Sequence, residues 1–170
     1  SNIHLTKLEQ IYNLVSTGTA VSNAPSKSQD NDDVLVRYFY TDGHGYGKSK
    51  EENGSRDFCN AMVKAKKIYR IEDIERLKTK VVNKGWGAKG ADTYDILLYK
   101  GGGNCNHVWR RRIYLKKDVK IDARSPLAET ITAAEARRKG YKVKTNDEKV
   151  GMKPKNMPNK GFLPGNPQGK

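Results

Sequence analysis

At 170 residues, with a formal net charge of +14, 35% hydrophobic residues and a mean hydropathy of -0.86, the chain has room for one modest core plus polar extensions. No apolar run approaches the roughly 18 residues a membrane span needs, and no secretory signal is visible; a membrane partner and a disulfide framework are therefore disfavoured, and the two cysteines point to a reducing compartment. The charge is uneven: from Arg110 onward 17 Lys+Arg face 6 Asp+Glu, whereas the preceding residues hold 16 against 13.

A basic extension on a nearly neutral body points to a polyanion, most often nucleic acid; the bland alternative is a solvated tail that keeps the protein soluble. Ser1 is not preceded by methionine, as in a processed chain or a piece of a longer one.

Leu5, Leu8, Ile11, Tyr12 and Val15 fall at helical spacing, and Thr6 with Glu9 fits a capping box. From Ser16 to Asp33 the chain is rich in Ser, Asn and Asp and reads as a mobile linker, so residues 1–33 form a helix plus linker. Val34 to Gly43 alternates as a strand does, and the glycine-rich stretch after it reads as an exposed loop. A helix capped by Ser55 should run to Ile68 with Phe58, Met62 and Ala65 on one face and Cys59 beside them. A second, Ile71 to Val82, places Ile74, Leu77 and Val81 together, with Glu72 and Asp73 in its first turn, where the helix dipole favours negative charge.

Asp92 to Tyr114 is expected to be a hairpin. Tyr94–Tyr99 would make one strand and Val108–Tyr114 the other, with Gly101, Gly102 and Gly103 as the turn. Phe58, Met62, Ile74, Leu77, Leu98 and Ile113 are the expected core. The sum is an α+β fold: a small antiparallel sheet with two packed helices over residues 34–116, followed by a basic, largely extended tail over residues 117–170. Within that tail Thr132 and Glu135 form a capping box that opens a short helix stopped by Gly140.

The soft ligands are few. Cys105 and His107 sit one residue apart, on one face of a strand, and Cys59 lies on the first helix. If that helix packs on the sheet, the three meet, and thiolate plus imidazole is the ligand set zinc prefers. His44, Asp57 or water would supply a fourth ligand. The competing reading is a pair of buried cysteines with a hydrogen-bonded histidine. A Cys59–His107 catalytic dyad, oriented by Asp57 or Asp95, has no local oxyanion hole to support it. GGGNCNH also echoes the composition of HNH nucleases, without their acidic metal cluster. Arg110, Arg111 and Arg112 follow Trp109, with Arg110 and Arg112 expected on one face and Trp109 and Arg111 on the other. Together with Lys116, Lys117, Arg137, Arg138 and Lys139 they are the candidate contacts to nucleic acid or to a neighbouring subunit.

The pairing of SRDFC (Ser55 to Cys59) with GGGNCNHVWRR (Gly101 to Arg111) resembles tailed-phage portal-associated and minor head proteins, the Mu-type head-morphogenesis family and its relatives in Bacteroidetes phages. Arg56, Phe58, Cys59, Asn104, Cys105, His107 and Trp109 carry the match, and the closing KPKNMPNKGFLPG looks like the ends of proteins of that group. The resemblance implies a non-enzymatic virion component near the portal or inner capsid. Its expected partners are portal and capsid proteins, further copies of itself and packaged DNA, and its expected location is the virion head or portal vertex. A metal-dependent nuclease or nucleic-acid-binding domain built on the Cys/His hairpin is the alternative.

Overall fold

The computed structural model describes residues 20–41, 57–102, 105–116 and 130–143. They form an α+β fold around a three-stranded antiparallel sheet. The strands are β1 (Val34–Thr41), β2 (Val108–Leu115) and β3 (Thr130–Ile131), in the order β1-β2-β3. β1 and β2 pair along their whole length, from Val34 opposite Leu115 to Thr41 opposite Val108. β3 adds only two pairs, Ile113 with Ile131 and Tyr114 with Thr130. The other side of β1 is met at Tyr38, whose backbone exchanges two hydrogen bonds of 2.8 Å with Tyr69.

The register gives the sheet an inner and an outer side. Val36, Tyr38 and Tyr40 face inward with their partners Ile113, Arg111 and Trp109, and the main core gathers there. Leu35, Phe39 and Tyr114 face outward and join Ile68 in a smaller apolar cluster.

Helix α1 (Asp57–Ala65) buries Phe58, Cys59, Ala61, Met62, Val63 and Ala65, with Asp57 in its first turn and Lys64 in its last, as the helix dipole favours. It stops at Lys66, which takes a left-handed φ of 48°. α2 (Ile71–Leu77) buries Ile74 and Leu77 as the periodicity requires, but it is shorter than the sequence predicts. A turn at Lys78–Thr79 and bends at Lys80 and Val82 replace its expected last segment, and Val81 lies 47% exposed instead of completing the apolar face.

The expected hairpin does not form. Tyr94 to Tyr99 is not a strand: Ile96–Tyr99 is a single helical turn, α3. Asp95 caps it, accepting the Leu98 N–H at 3.0 Å. Ile96 and Leu97, neighbours in sequence, are both buried. A helical turn can put consecutive side chains into one core, whereas a strand sends them to opposite faces. Leu98, expected in the core, is only half-buried. β2 has no place for this segment either, since β1 lines one of its edges and β3 part of the other. Gly102 does take the positive φ expected of the glycine run, +88°, but it closes the α3 turn, its N–H bonding to Tyr99 O at 2.8 Å.

Residues 20–33, read from sequence as part of a linker, pack on the body. Arg37, 1% exposed, bonds to Asp30 and to the carbonyls of Ser22 and Ala24. Ser26 Oγ donates to Glu72 at 2.6 Å, and the Val21 N–H reaches Asp73. Residues 130–143, placed by the sequence in an extended tail, carry β3 and α4 (Ala133–Arg138). Thr132 Oγ1 accepts the Glu135 N–H at 3.1 Å, so that cap is realised, and Ala136 is buried. The Asn31 side chain donates to Lys142 O and joins the two outlying segments. The expected N-terminal helix, the loop after β1 and the chain beyond residue 143 lie outside the described residues.

Candidate metal centre

Cys59 comes from α1, Cys105 and His107 from the extended segment that enters β2. The sheet–helix packing brings them together: all three are buried, and their ligating atoms lie within 4.8 Å of one another. The Sγ atoms of Cys59 and Cys105 are 3.9 Å apart, and Cys105 Sγ is 3.9 Å from His107 Nδ1. Both cysteines are free thiols. Cys105 and His107 precede the strand rather than sitting on it, yet their one-residue spacing still turns both toward the cluster.

Two residues of this site were not singled out by sequence. Tyr40, on the inner face of β1, places its hydroxyl 3.3 Å from Cys59 Sγ and 3.4 Å from Cys105 Sγ. Its ring stacks on His107, with centroids 5.3 Å apart and planes 7° apart, and meets Phe58 and Trp109 edge-on. The alternation of Val34 to Gly43 placed Tyr40 on one face of a strand; which face turns inward and what its hydroxyl meets were not readable. Lys100 is the second: its side chain is fully buried and Nζ donates to Cys105 O at 3.3 Å. Lysine is seldom buried without a reason, and nothing in its sequence neighbourhood distinguishes it.

The electrostatics follow from this crowding. A hydrogen bond from Cys59 is the main influence that pulls the Cys105 thiol far below its ordinary range; burial opposes it, and His107 and Tyr40 add to it. Burial pushes the Tyr40 phenol well up, helped by the charge of Cys105 and Cys59. Burial also lowers Lys100, while the same two sulfurs hold it up. The pocket therefore favours negative charge on the Cys105 sulfur, the state in which sulfur binds a metal.

The other candidates are placed differently. His44 and Lys117 lie outside the described residues. Asp57 is half-buried in the first turn of α1 and is not one of the clustered ligands. Asp95 is occupied with its helix cap and with Lys78, 3.4 Å away, so it does not orient His107. Among the described residues no carboxylate joins the three ligands.

Trp109 points inward, its Nε1 donating to Ile96 O at 3.0 Å. Arg110 is exposed, and the Arg112 guanidinium lies over the rings of Phe39 and Tyr114 at 5.7 and 5.5 Å, on the outer face as alternation predicted. Arg110, Arg111 and Arg112, with Thr130, Thr132 and Glu135, line an open groove of 760 Å³ beside β3. Lys116 is exposed at the end of β2, and Arg137, Arg138 and Lys139 are exposed at the end of α4, outside that lining.

Compared with known proteins, the chain matches no family model, no curated protein and no solved structure. Among the described residues no helix is long and apolar enough to cross a membrane.

Proposed function

We propose that this chain is a structural component of a bacteriophage virion, portal-associated, minor head or inner capsid. In this reading a zinc ion bound by Cys59, Cys105 and His107 staples the α+β module, and the arginine-lined groove contacts packaged DNA or a neighbouring subunit. The observation that carries the reading is the burial of the ligand cluster. Cys59, Cys105 and His107 are 2%, 3% and 6% exposed, enclosed by Tyr40, Phe58 and Trp109. A catalytic metal keeps a position open to substrate, whereas a structural one is enclosed. The ligands come from α1 and from the segment before β2, 46 residues apart, so one ion would fix the helix to the sheet. The motif resemblance and the excess of positive charge from Arg110 onward support the virion assignment.

The test is to purify native particles through a density gradient, quantify this chain in them by mass spectrometry and measure its zinc. The expected result is a fixed copy number in DNA-filled particles and stoichiometric zinc that a Cys59→Ser/Cys105→Ser variant lacks. Absence from particles overturns the virion role. Divalent-metal-dependent DNA cleavage that His107→Ala abolishes would establish the nuclease alternative instead. For the groove, DNA affinity should fall with salt at a log–log slope of about -0.9 per phosphate contact, and replacing Arg110, Arg111 and Arg112 by alanine should flatten that slope. An unchanged slope removes the groove from the contact.

A further inference from the structure

Resting on the metal reading above, we infer that Tyr40 is the fourth ligand of the centre, binding the ion as a phenolate. Among the described residues three side chains leave a tetrahedral ion one position short, and the Tyr40 hydroxyl stands beside both sulfurs, where a fourth donor could sit. With Zn–S near ~2.3 Å and Zn–N or Zn–O near ~2.0 Å, a tetrahedron has edges of ~3.8 Å between sulfurs and ~3.5 Å between sulfur and a lighter donor. The observed separations are 3.9 Å between the sulfurs, 3.3 and 3.4 Å from the Tyr40 oxygen to each sulfur, and 3.9 Å from Cys105 Sγ to His107 Nδ1. These four edges lie within a few tenths of an ångström of a tetrahedron's, while the Cys59 and His107 ligating atoms are bounded only at 4.8 Å, so the imidazole closes the remaining edges by moving toward the ion.

Two further features hold the oxygen there. The ring is clamped by the parallel His107 face and by the edges of Phe58 and Trp109. Its backbone is fixed in β1, with Tyr40 directly opposite Trp109. Burial and the charge of Cys59 and Cys105 hold the Tyr40 phenol protonated in the metal-free fold, so the ion's own positive charge is what would make the phenolate, as it does for a coordinating thiol. On binding, the Tyr40 O–H bond breaks, its proton passes to solvent and the oxygen lone pair goes to the ion. The centre so completed is a Cys₂HisTyr site that admits no exchangeable water.

The test uses the full chain, freed of metal under reducing conditions and titrated with zinc in weak buffer. Wild type should bind one equivalent, develop the near-ultraviolet absorption of a tyrosinate and release one proton more per zinc than Tyr40→Phe. That variant keeps the ring and its stacking, and circular dichroism checks that it folds. Its zinc affinity should fall by at least ~10-fold, the lower range for loss of a group that supports a metal. The tyrosinate band of the wild type needs no variant and stands even if Tyr40→Phe unfolds. Weakened binding without that band, or with unchanged proton release, makes Tyr40 a hydrogen-bond donor to the thiolates and overturns coordination. Wild-type affinity in Tyr40→Phe with loss in His44→Ala gives the position to His44 and likewise overturns it. If wild type binds no zinc at all, the staple itself fails, an outcome distinct from a bound ion that ignores Tyr40.

Discussion

Asp73 and the Cys59–Cys105–His107 cluster are both buried polar centres that join distant parts of the chain, and they do so in opposite ways. Asp73, 0% exposed, is a carboxylate ringed by donors. Arg70 reaches it through its backbone N–H at 2.9 Å and its guanidinium at 2.7 Å, Arg76 at 2.5 Å, and the Val21 N–H from 52 residues away. The anion and its cations are supplied by the same chain, so the knot ties residues 20–33 to α2 unaided. The cysteine cluster instead gathers atoms with lone pairs around one point, with Tyr40 hydrogen-bonded among them. Buried charge is tolerable only when answered. Asp73 meets its cations within the chain, and the cysteine cluster is where the proposed ion would enter.

The largest expected effect breaks the self-sufficient centre. Asp73→Ala leaves Arg70 without its buried partner and should cost about 3–5 kcal/mol, the usual penalty for halving a buried ion pair. Urea unfolding measures it, and a loss below about 1 kcal/mol would place Asp73 among surface pairs of little worth.

Next comes the other centre. With free zinc at a hundredfold excess over its dissociation constant, the folded state should gain about 2.7 kcal/mol. A chelator should reverse that gain and leave Asp73→Ala just as destabilised, since the two centres share no partner. A Cys59→Ser protein that still responds to zinc would show that the metal binds elsewhere.

A smaller effect concerns pH in the metal-free protein. Cys105 is held below its ordinary value of 9.0 in the fold, so the unfolded chain binds more protons than the folded one, and stability rises with pH. Its contribution is complete above the ordinary thiol range and is lost as pH falls through the depressed folded value. Unfolding midpoints compared across that interval should lose part of their slope in Cys105→Ser. An identical slope would mean the thiol is not depressed.

The smallest expected change is at Val81. Although helical spacing put it with Leu77, it is 47% exposed, and Val81→Ala should change stability by no more than about 0.5 kcal/mol. A cost of several times that would show that α2 continues to Val82 in solution and that the face read from sequence is real.

Local patterns determined what local physics controls. The alternation of Val34 to Thr41, the apolar face of Phe58, Met62 and Ala65, the acidic first turn of α2 and the Thr132 cap each depend on neighbours within a few residues, and each is present. The meeting of Cys59 with Cys105 and His107 was also legible, because a helix with one apolar face must lay it on the sheet. What depended on distant partners was not. Tyr94 to Tyr99 has strand-like composition, but both edges of β2 are wholly or partly taken by β1 and β3, and Asp95 supplies a cap, so the segment turns as a helix. Residues 20–33 look like linker by composition and are held by Glu72, Asp73 and Arg37, whose positions only the packed chain sets. Tyr40 and Lys100 became part of the cysteine site for the same reason. A strand fixes which face a side chain takes, while the tertiary structure alone decides which atoms wait on that face.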